Sequence, residues 1–252
     1  MTQMTKRLLI LGGTGEAAAL ADQAVIRFFS RLEVIYSLAG RIKPEREISA
    51  SLRVGGFGGG MGLADYIKAE RINFVIDATH PFADKISASA HDACMTNMTP
   101  RLMLLRPPWD MPRDCHYLEA GDMADAARLI PGLARRVLVT TGQSDLGALA
   151  SCTDAHFVIR VIERPQDLPV LDDYEFVVAR PPHTLAFETD LMEEHKIDGL
   201  LTKQSGGKAT VAKIAAAIDR NIPIILIRRP LAEPGESVGT VEEALLWLQG
   251  RV

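Results

Sequence analysis

With 252 residues, the chain is long enough for one large domain or two small ones around a substantial core. It is 47% hydrophobic and 24% charged with a formal net charge of −4, a balance that argues against a nucleic-acid-binding protein but leaves room for local basic clusters. No apolar run reaches the length of a membrane span, and the run at 8–11 breaks at Gly12, too short for a signal peptide. Cys94, Cys115 and Cys152 are odd in number and lack metal-type spacing, as do the histidines. Reduced thiols, a cytoplasmic setting and no metal site are expected.

Short apolar runs alternate with helical patterns along the whole chain. Strands are predicted at 8–11, 34–38, 74–78, 102–105, 137–140, 157–161, 175–179, 199–202 and 224–228. Helices are predicted at 16–28, 62–70, 83–97, 122–130, 145–151, 184–195, 208–220 and 241–248. Such alternation, with strands rich in Val, Ile and Leu, predicts an α/β architecture of mainly parallel sheets flanked by helices. Arg106-Pro107-Pro108-Trp109-Asp110-Met111-Pro112 is the linker candidate, because its prolines disfavour helix and cannot serve a central strand. The expected division is 1–108 and 109–252, two Rossmann-like domains with a ligand cleft between them and an end strand free to pack across.

The first predicted strand runs into Gly12-Gly13-Thr14-Gly15-Glu16-Ala17-Ala18, where Gly13, Gly15 and Ala18 fit the G-x-G-x-x-G/A dinucleotide fingerprint. Glycines allow a tight turn and close backbone approach, and the helix that follows offers amides to a pyrophosphate. A plain strand-to-helix turn is the alternative. About 20 residues on, where NAD-binding proteins place an acidic residue for the ribose, the chain has Ser37-Leu38-Ala39-Gly40-Arg41. Ser37 and Arg41 suit a 2′-phosphate, so NADPH is expected over NADH; an Arg41 lying on a solvated loop is the alternative. Gly55-Gly56-Phe57-Gly58-Gly59-Gly60-Met61-Gly62 is too glycine-dense for a routine connection, and implies either unusual dihedrals near a ligand or a flexible loop.

Asp77-Ala78-Thr79-His80-Pro81-Phe82-Ala83 follows an apolar strand, at the carboxyl end where open α/β sheets bind ligands. Asp77 is placed to orient His80, or Thr79 to cap the next helix; His80 reads as structural or as an acid–base group. Thr140-Thr141-Gly142-Gln143-Ser144 is a second loop of this kind, with Ser144 as its helix cap. A third is Thr202-Lys203-Gln204-Ser205-Gly206-Gly207-Lys208-Ala209-Thr210, which lacks the upstream glycine and the trailing Ser or Thr of a Walker A motif. Its amides, hydroxyls and two lysines at a helix N-terminus still make an anion-binding set. Arg106, Arg160, Arg164, Arg180, Lys203, Arg228 and Arg229 recur near predicted strand ends; convergence of several would suit a polyanionic substrate.

In this order the motifs resemble the precorrin-6A reductase family. The resemblance is carried by Leu11-Gly12-Gly13-Thr14-Gly15-Glu16, Ser37-Leu38-Ala39-Gly40-Arg41, Gly55-Gly56-Phe57-Gly58-Gly59 and, most specifically, 77–83 running on to Ile86-Ser87. Arg106-Pro107-Pro108-Trp109, Lys203-Gln204-Ser205-Gly206-Gly207 and Arg228-Arg229-Pro230 extend it over nearly the whole chain. Ala179-Arg180-Pro181-Pro182-His183-Thr184 departs from it, standing where Arg-Gly-Pro-Phe is expected.

The resemblance implies an NADPH-dependent oxidoreductase of cobalamin biosynthesis, reducing the C18–C19 bond of precorrin-6A to give precorrin-6B. Hydride would go to C19 and a proton to C18, from His80, water or a substrate carboxyl. Gly12, Gly13, Thr14, Gly15, Glu16, Ser37, Arg41, Gly58 and Thr79 are then expected at the cofactor. His80, Pro81, Phe82, Thr141, Arg180, Lys203, Ser205, Gly206, Gly207, Lys208 and Arg228 are expected at the substrate, a polycarboxylate tetrapyrrole. Handover to neighbouring pathway enzymes is a further expectation; nucleic acid and membrane are not. The competing reading is a non-enzymatic NADP(H)-sensing protein acting through a protein partner. A short-chain dehydrogenase is disfavoured because no tyrosine is followed at Tyr-x-x-x-Lys spacing by lysine.

Overall fold

The computed structural model describes residues 5–39 and 47–252. The chain divides into two units, Met1–Pro107 with Pro230–Val252, and Pro108–Arg229. The first stretch carries β1 (Lys6–Leu11), α1 (Gly15–Arg27), β2 (Leu32–Leu38), β3 (Ser51–Val54), α2 (Gly59–Ala69), β4 (Phe74–Asp77), α3 (Asp84–Asn97) and β5 (Arg101–Leu104). The second unit opens with β6 (Tyr117–Ala120), α4 (Met123–Leu129), β7 (Arg136–Val139), a 3-10 turn at Leu146–Ser151 and β8 (His156–Val161). It continues with β9 (Tyr174–Val178), α5 (Leu185–Glu194), β10 (Gly199–Lys203), α6 (Ala212–Asp219) and β11 (Ile224–Ile227). Then β12 (Glu236–Val238) and α7 (Val241–Gln249) return to the first unit.

Every neighbouring strand pair in both sheets is parallel. The first sheet runs β3-β2-β1-β4-β5-β12, a doubly wound order whose last strand comes from the far end of the chain. Strand order reverses between β1 and β4. The second sheet runs β6-β11-β10-β7-β8-β9 and reverses between β7 and β10.

Leu8, Leu9, Ile10 and Leu11 are at most 2% exposed, because helices cover both faces of β1. On one face α1 packs Ala17, Leu20, Ala21 and Ala24; on the other, α2 and α3 pack Leu63, Ile67, Ala90 and Ala93. In the second unit, Leu138, Val158, Leu200 and Ile224 meet Leu191, Met192, Ile214 and Ala217 in the same way.

The second domain expected at 109–252 therefore loses its last stretch. The reason is apolar burial and strand pairing. Thr240 and Glu243 close a capping box that starts α7, whose Ala244, Leu245, Trp247 and Leu248 enter the core formed by α1 and β1. Trp247 meets the Phe74 ring edge-on at 5.9 Å. Large apolar side chains buried this way contribute about 1.5–3 kcal/mol each. β12 also covers the edge of β5, with Glu236 level with Leu102 and Val238 with Leu104. Two further differences concern helix starts: α2 begins at Gly59 and α6 only at Ala212.

Candidate functional site

The two loops at the first reversal leave the sheet at one level, since Leu11 is in register with Asp77. Tyr36 shapes the first of them. A Cβ on Gly12 would sit 2.3 Å from the Tyr36 ring, so only glycine lets the ring pack there. The Tyr36 hydroxyl accepts the Gly13 N–H at 3.1 Å, and the Ser37 carbonyl accepts the Gly12 N–H at 2.9 Å. Thr14 caps α1: its Oγ1 accepts from the Ala17 N–H at 3.0 Å and donates to the Ala78 carbonyl at 2.8 Å. One hydroxyl thus joins the helix start to the end of β4. The first amides of α1, those of Gly15 and Glu16, have no acceptor within the helix and form its positive end. Glu16 holds Arg106 at 2.9 Å, which neutralises a carboxylate that would otherwise oppose an anion there. Thr14, Glu16, Thr79, Pro81, Leu104 and Arg106 line a small pocket.

Asp77 is buried at 3% exposure, and its Oδ1 accepts both the Thr79 N–H at 3.1 Å and the Thr79 hydroxyl at 2.7 Å. It therefore orients Thr79 and not His80. Nor does Thr79 cap α3, which starts at Ala83 without a side-chain cap. His80 Nδ1 accepts the Phe82 N–H at 3.2 Å, and its carbonyl accepts the Ala83 N–H at 2.8 Å. In this arrangement the neutral imidazole carries its proton on Nε2.

Ser37 is 5% exposed. Opposite it in register stands Arg53, a residue the sequence reading passed over, whose Nη1 donates to Ser37 Oγ at 3.3 Å. An arginine in an exposed edge strand carries no sequence flag; its neighbour is known only once strand register is known. Gly40 and Arg41 lie outside the described residues. Gly58 is the left-handed cap of α2, at φ +82. A Cβ on Gly62 would fall 1.7 Å from the Phe57 carbonyl oxygen. The glycine-dense stretch thus takes the unusual dihedrals expected of it, at Gly55, Gly58 and Gly59, and packs tightly at Gly62.

In the second unit, the loops at 140–145 and 204–209 flank the reversal between β7 and β10. Thr141 is 7% exposed and its buried hydroxyl has no hydrogen-bond partner. Ser144 is not a cap, since the 3-10 turn starts from Asp145 without a side-chain bond. Trp109, expected only as part of a linker, anchors the other loop: Gln204 pairs with its backbone, and its indole N–H donates to the Gly207 carbonyl at 2.8 Å. Arg229 Nε and Nη2 donate to the Gln204 and Ser205 carbonyls at 2.7 and 3.0 Å. Ser205 and Gly206 are buried, Lys203 and Gly207 are half-buried, and Lys208 is exposed. Because α6 starts only at Ala212, this loop is not the helix N-terminus that was expected; backbone turns at Gly206 and Gly207 stand there instead.

Arg160 is 7% exposed and its Nη1 lies 2.7 Å from both oxygens of the fully buried Glu188. Arg180 pairs with Glu163, while Arg164 and Arg228 are exposed. His183, at the departure from the resemblance, stacks on Phe187 at 5.0 Å between ring centres, and its backbone N–H donates to the Ala209 carbonyl at 3.3 Å. Burial, helped by the Arg160 and Lys213 cations, pushes its pKa down to about 4. Among the described residues, no group of three His, Cys, Asp or Glu is arranged to hold a metal ion, and no helix is long and apolar enough to cross a membrane.

A family model described as precorrin-6x reductase CbiJ/CobK matches residues 7–249. The chain belongs to this family. Both strand-order reversals, with their loops, lie inside the span matched to the precorrin-6x reductases. The precorrin-6A reductase of Rhodococcus erythropolis is 42% identical over 243 residues, which cover 96% of this chain and 97% of the relative. That of Mycobacterium tuberculosis (strain CDC 1551 / Oshkosh) is 39% identical over 245 residues, covering 97% and 98%. A solved structure, "CobK precorrin-6A reductase", is similar with a TM-score of 0.91 at 34% identity, covering 98% of this chain and 97% of that one.

Proposed function

We propose that the chain reduces precorrin-6A in cobalamin biosynthesis with NADPH as the reductant. Near-complete alignment to relatives named precorrin-6A reductase supports the reaction. The observation that carries the cofactor reading is the first strand-order reversal, where a glycine turn and the start of α1 meet a polar pocket. Gly12 and Gly13 shape the turn against Tyr36, which holds the Gly13 N–H, while the amides of Thr14, Gly15 and Glu16 are suited to a pyrophosphate. Ser37 and Arg41 would take the 2′-phosphate, and Gly58 would pass close to the nucleotide. Thr79 would orient the nicotinamide end.

NADPH, when bound at these residues, would supply the hydride and be left as NADP⁺, and with one proton the reduction of C18–C19 would give precorrin-6B. The protein's task is to orient the reactants and to hold or gate that proton. His80 is the candidate acid, flanked by Pro81 and Phe82; it would act as the imidazolium, whose protonated Nδ1 would release the Phe82 N–H. Thr141, Lys203, Ser205, Gly206, Gly207, Lys208, Arg180 and Arg228 would meet the carboxylates of the tetrapyrrole. Anaerobic incubation with precorrin-6A and NADPH, followed by the loss of NADPH absorbance and by product mass, tests the reading. A chain that binds NADPH but never oxidises it would support a partner-binding sensor instead.

A further inference from the structure

The carboxyl ends of β2 and β3 hold a guanidinium that no carboxylate among the described residues neutralises. Arg53 is half-buried, and no carboxylate among the described residues lies within ion-pair distance of it. Its Nη1 donates to Ser37 Oγ at 3.3 Å and to the Gly55 carbonyl, and its Nη2 donates to the Gly56 carbonyl at 3.0 Å. The guanidinium carbon lies 3.7 Å from the Phe57 ring centre and 5.0 Å from that of Tyr66. Carbonyls and ring faces fix the position of a cation without removing its charge. A partly desolvated, immobilised cation is a costly arrangement for a loop brace alone, and a favourable one for a phosphate.

Its place in the sheet names the phosphate. Ser37 is joined through its carbonyl to Gly12 of the glycine turn, and Arg53 stands one strand further out. In this strand order the end of β2 meets the adenosine ribose, and a cation there meets a 2′-phosphate. We propose that Arg53 is the fixed cation that reads the 2′-phosphate of NADPH, with Ser37 as its anchor and the Phe57 ring as its backstop. This deepens the cofactor reading above and rests on it. Nη2 and Nε keep donor directions beyond those fixed on Gly55, Gly56 and Ser37, enough for a phosphate oxygen.

The test is the binding of NADPH, NADH, 2′,5′-ADP and 5′-ADP to the full chain and to its Arg53→Gln and Arg53→Lys variants, with melting curves alongside. Loss of a charge-assisted phosphate contact should weaken NADPH and 2′,5′-ADP binding to Arg53→Gln by about tenfold to a hundredfold. NADH and 5′-ADP should stay within about twofold, and Arg53→Lys should fall between, keeping the point charge but losing the fork. The wild-type preference for NADPH should also shrink as salt rises, and that of Arg53→Gln should do so less steeply. Equal losses for all four ligands would make Arg53 a loop brace and overturn the inference, as would an unchanged NADPH-to-NADH ratio in both variants. A wild-type chain that binds no NADPH would overturn the cofactor reading, and the inference with it.

Discussion

The side-chain amide of Gln204 closes on the backbone of Trp109 from both sides, accepting its N–H at 3.0 Å and donating to its carbonyl at 3.1 Å. Gln204 follows β10 at the second strand-order reversal, and Trp109 follows the prolines that open the second unit. The segment that enters this unit is therefore built into the loop that also carries Lys203, Ser205 and Gly207. The Trp109 indole bond to Gly207 makes the joint three-point, and Lys213 lies 5.2 Å over the ring centre.

Gln204→Ala should open this joint. Two bonds to backbone groups are lost, each worth about 0.5–1.5 kcal/mol, and more where the freed groups stay buried. The urea midpoint should fall, and the KM for precorrin-6A should rise more than the Kd for NADPH, because the glycine turn is on the other unit. Equal changes in both constants would deny this loop its assignment to the substrate.

Arg160 and Glu188 yield a sharper stability prediction. Removing the charge of Glu188 strands a buried guanidinium, at a cost of about 3–5 kcal/mol for broken buried pairs. Glu188→Gln should therefore melt well below wild type. The double variant Arg160→Met, Glu188→Leu should recover most of the loss, since well-packed apolar replacements of buried pairs are often neutral. A Glu188→Gln chain as stable as wild type would sink the idea. The result also decides a functional point, because a cation so tightly matched is not available to a substrate carboxylate.

Strands with two buried faces were legible in the sequence, and of the four edge strands only Tyr174–Val178, expected at 175–179, was. Ser51–Val54, Tyr117–Ala120 and Glu236–Val238 were all missed, and each lies at an edge of its sheet. An edge strand half in solvent loses the continuous apolar run that marks β1 or β11. The loops at 12–15, 77–83 and 203–207 were legible because glycines and polar residues follow apolar strands directly. Their internal wiring was not. Nothing local says that Asp77 serves Thr79, that Tyr36 fills the space beside Gly12, or that Trp109 ties down Gln204. Those partners are set by register and packing across strands.

His183 should leave its mark on pH dependence. Its pKa in the folded chain, about 4, lies below the ordinary 6.5, so between these values the unfolded chain binds more protons. Stability from this group is thus complete above pH 6.5 and is lost as pH falls towards 4. His183→Phe should flatten that part of the stability curve while keeping the stack on Phe187. Urea midpoints at several pH values, with the imidazole titration followed by NMR, check both parts. An imidazole that titrates at its ordinary pKa would refute the burial argument.

His80 presents two separable properties, an Nδ1 that accepts from Phe82 in the neutral ring and an imidazolium form able to give up a proton. His80→Ala removes both, so its loss of activity would be ambiguous. His80→Asn is more telling, because a short amide oxygen can still accept the Phe82 N–H while no acid remains. If His80 supplies the proton, His80→Asn should keep the melting temperature and the NADPH Kd, yet lose at least about a hundredfold in kcat, as expected for a removed general acid. The pH profile of kcat should lose its imidazole limb in the same variant. Near-normal turnover in His80→Asn would assign the histidine to holding the turn, and would move the proton source to water or to a carboxyl of the substrate.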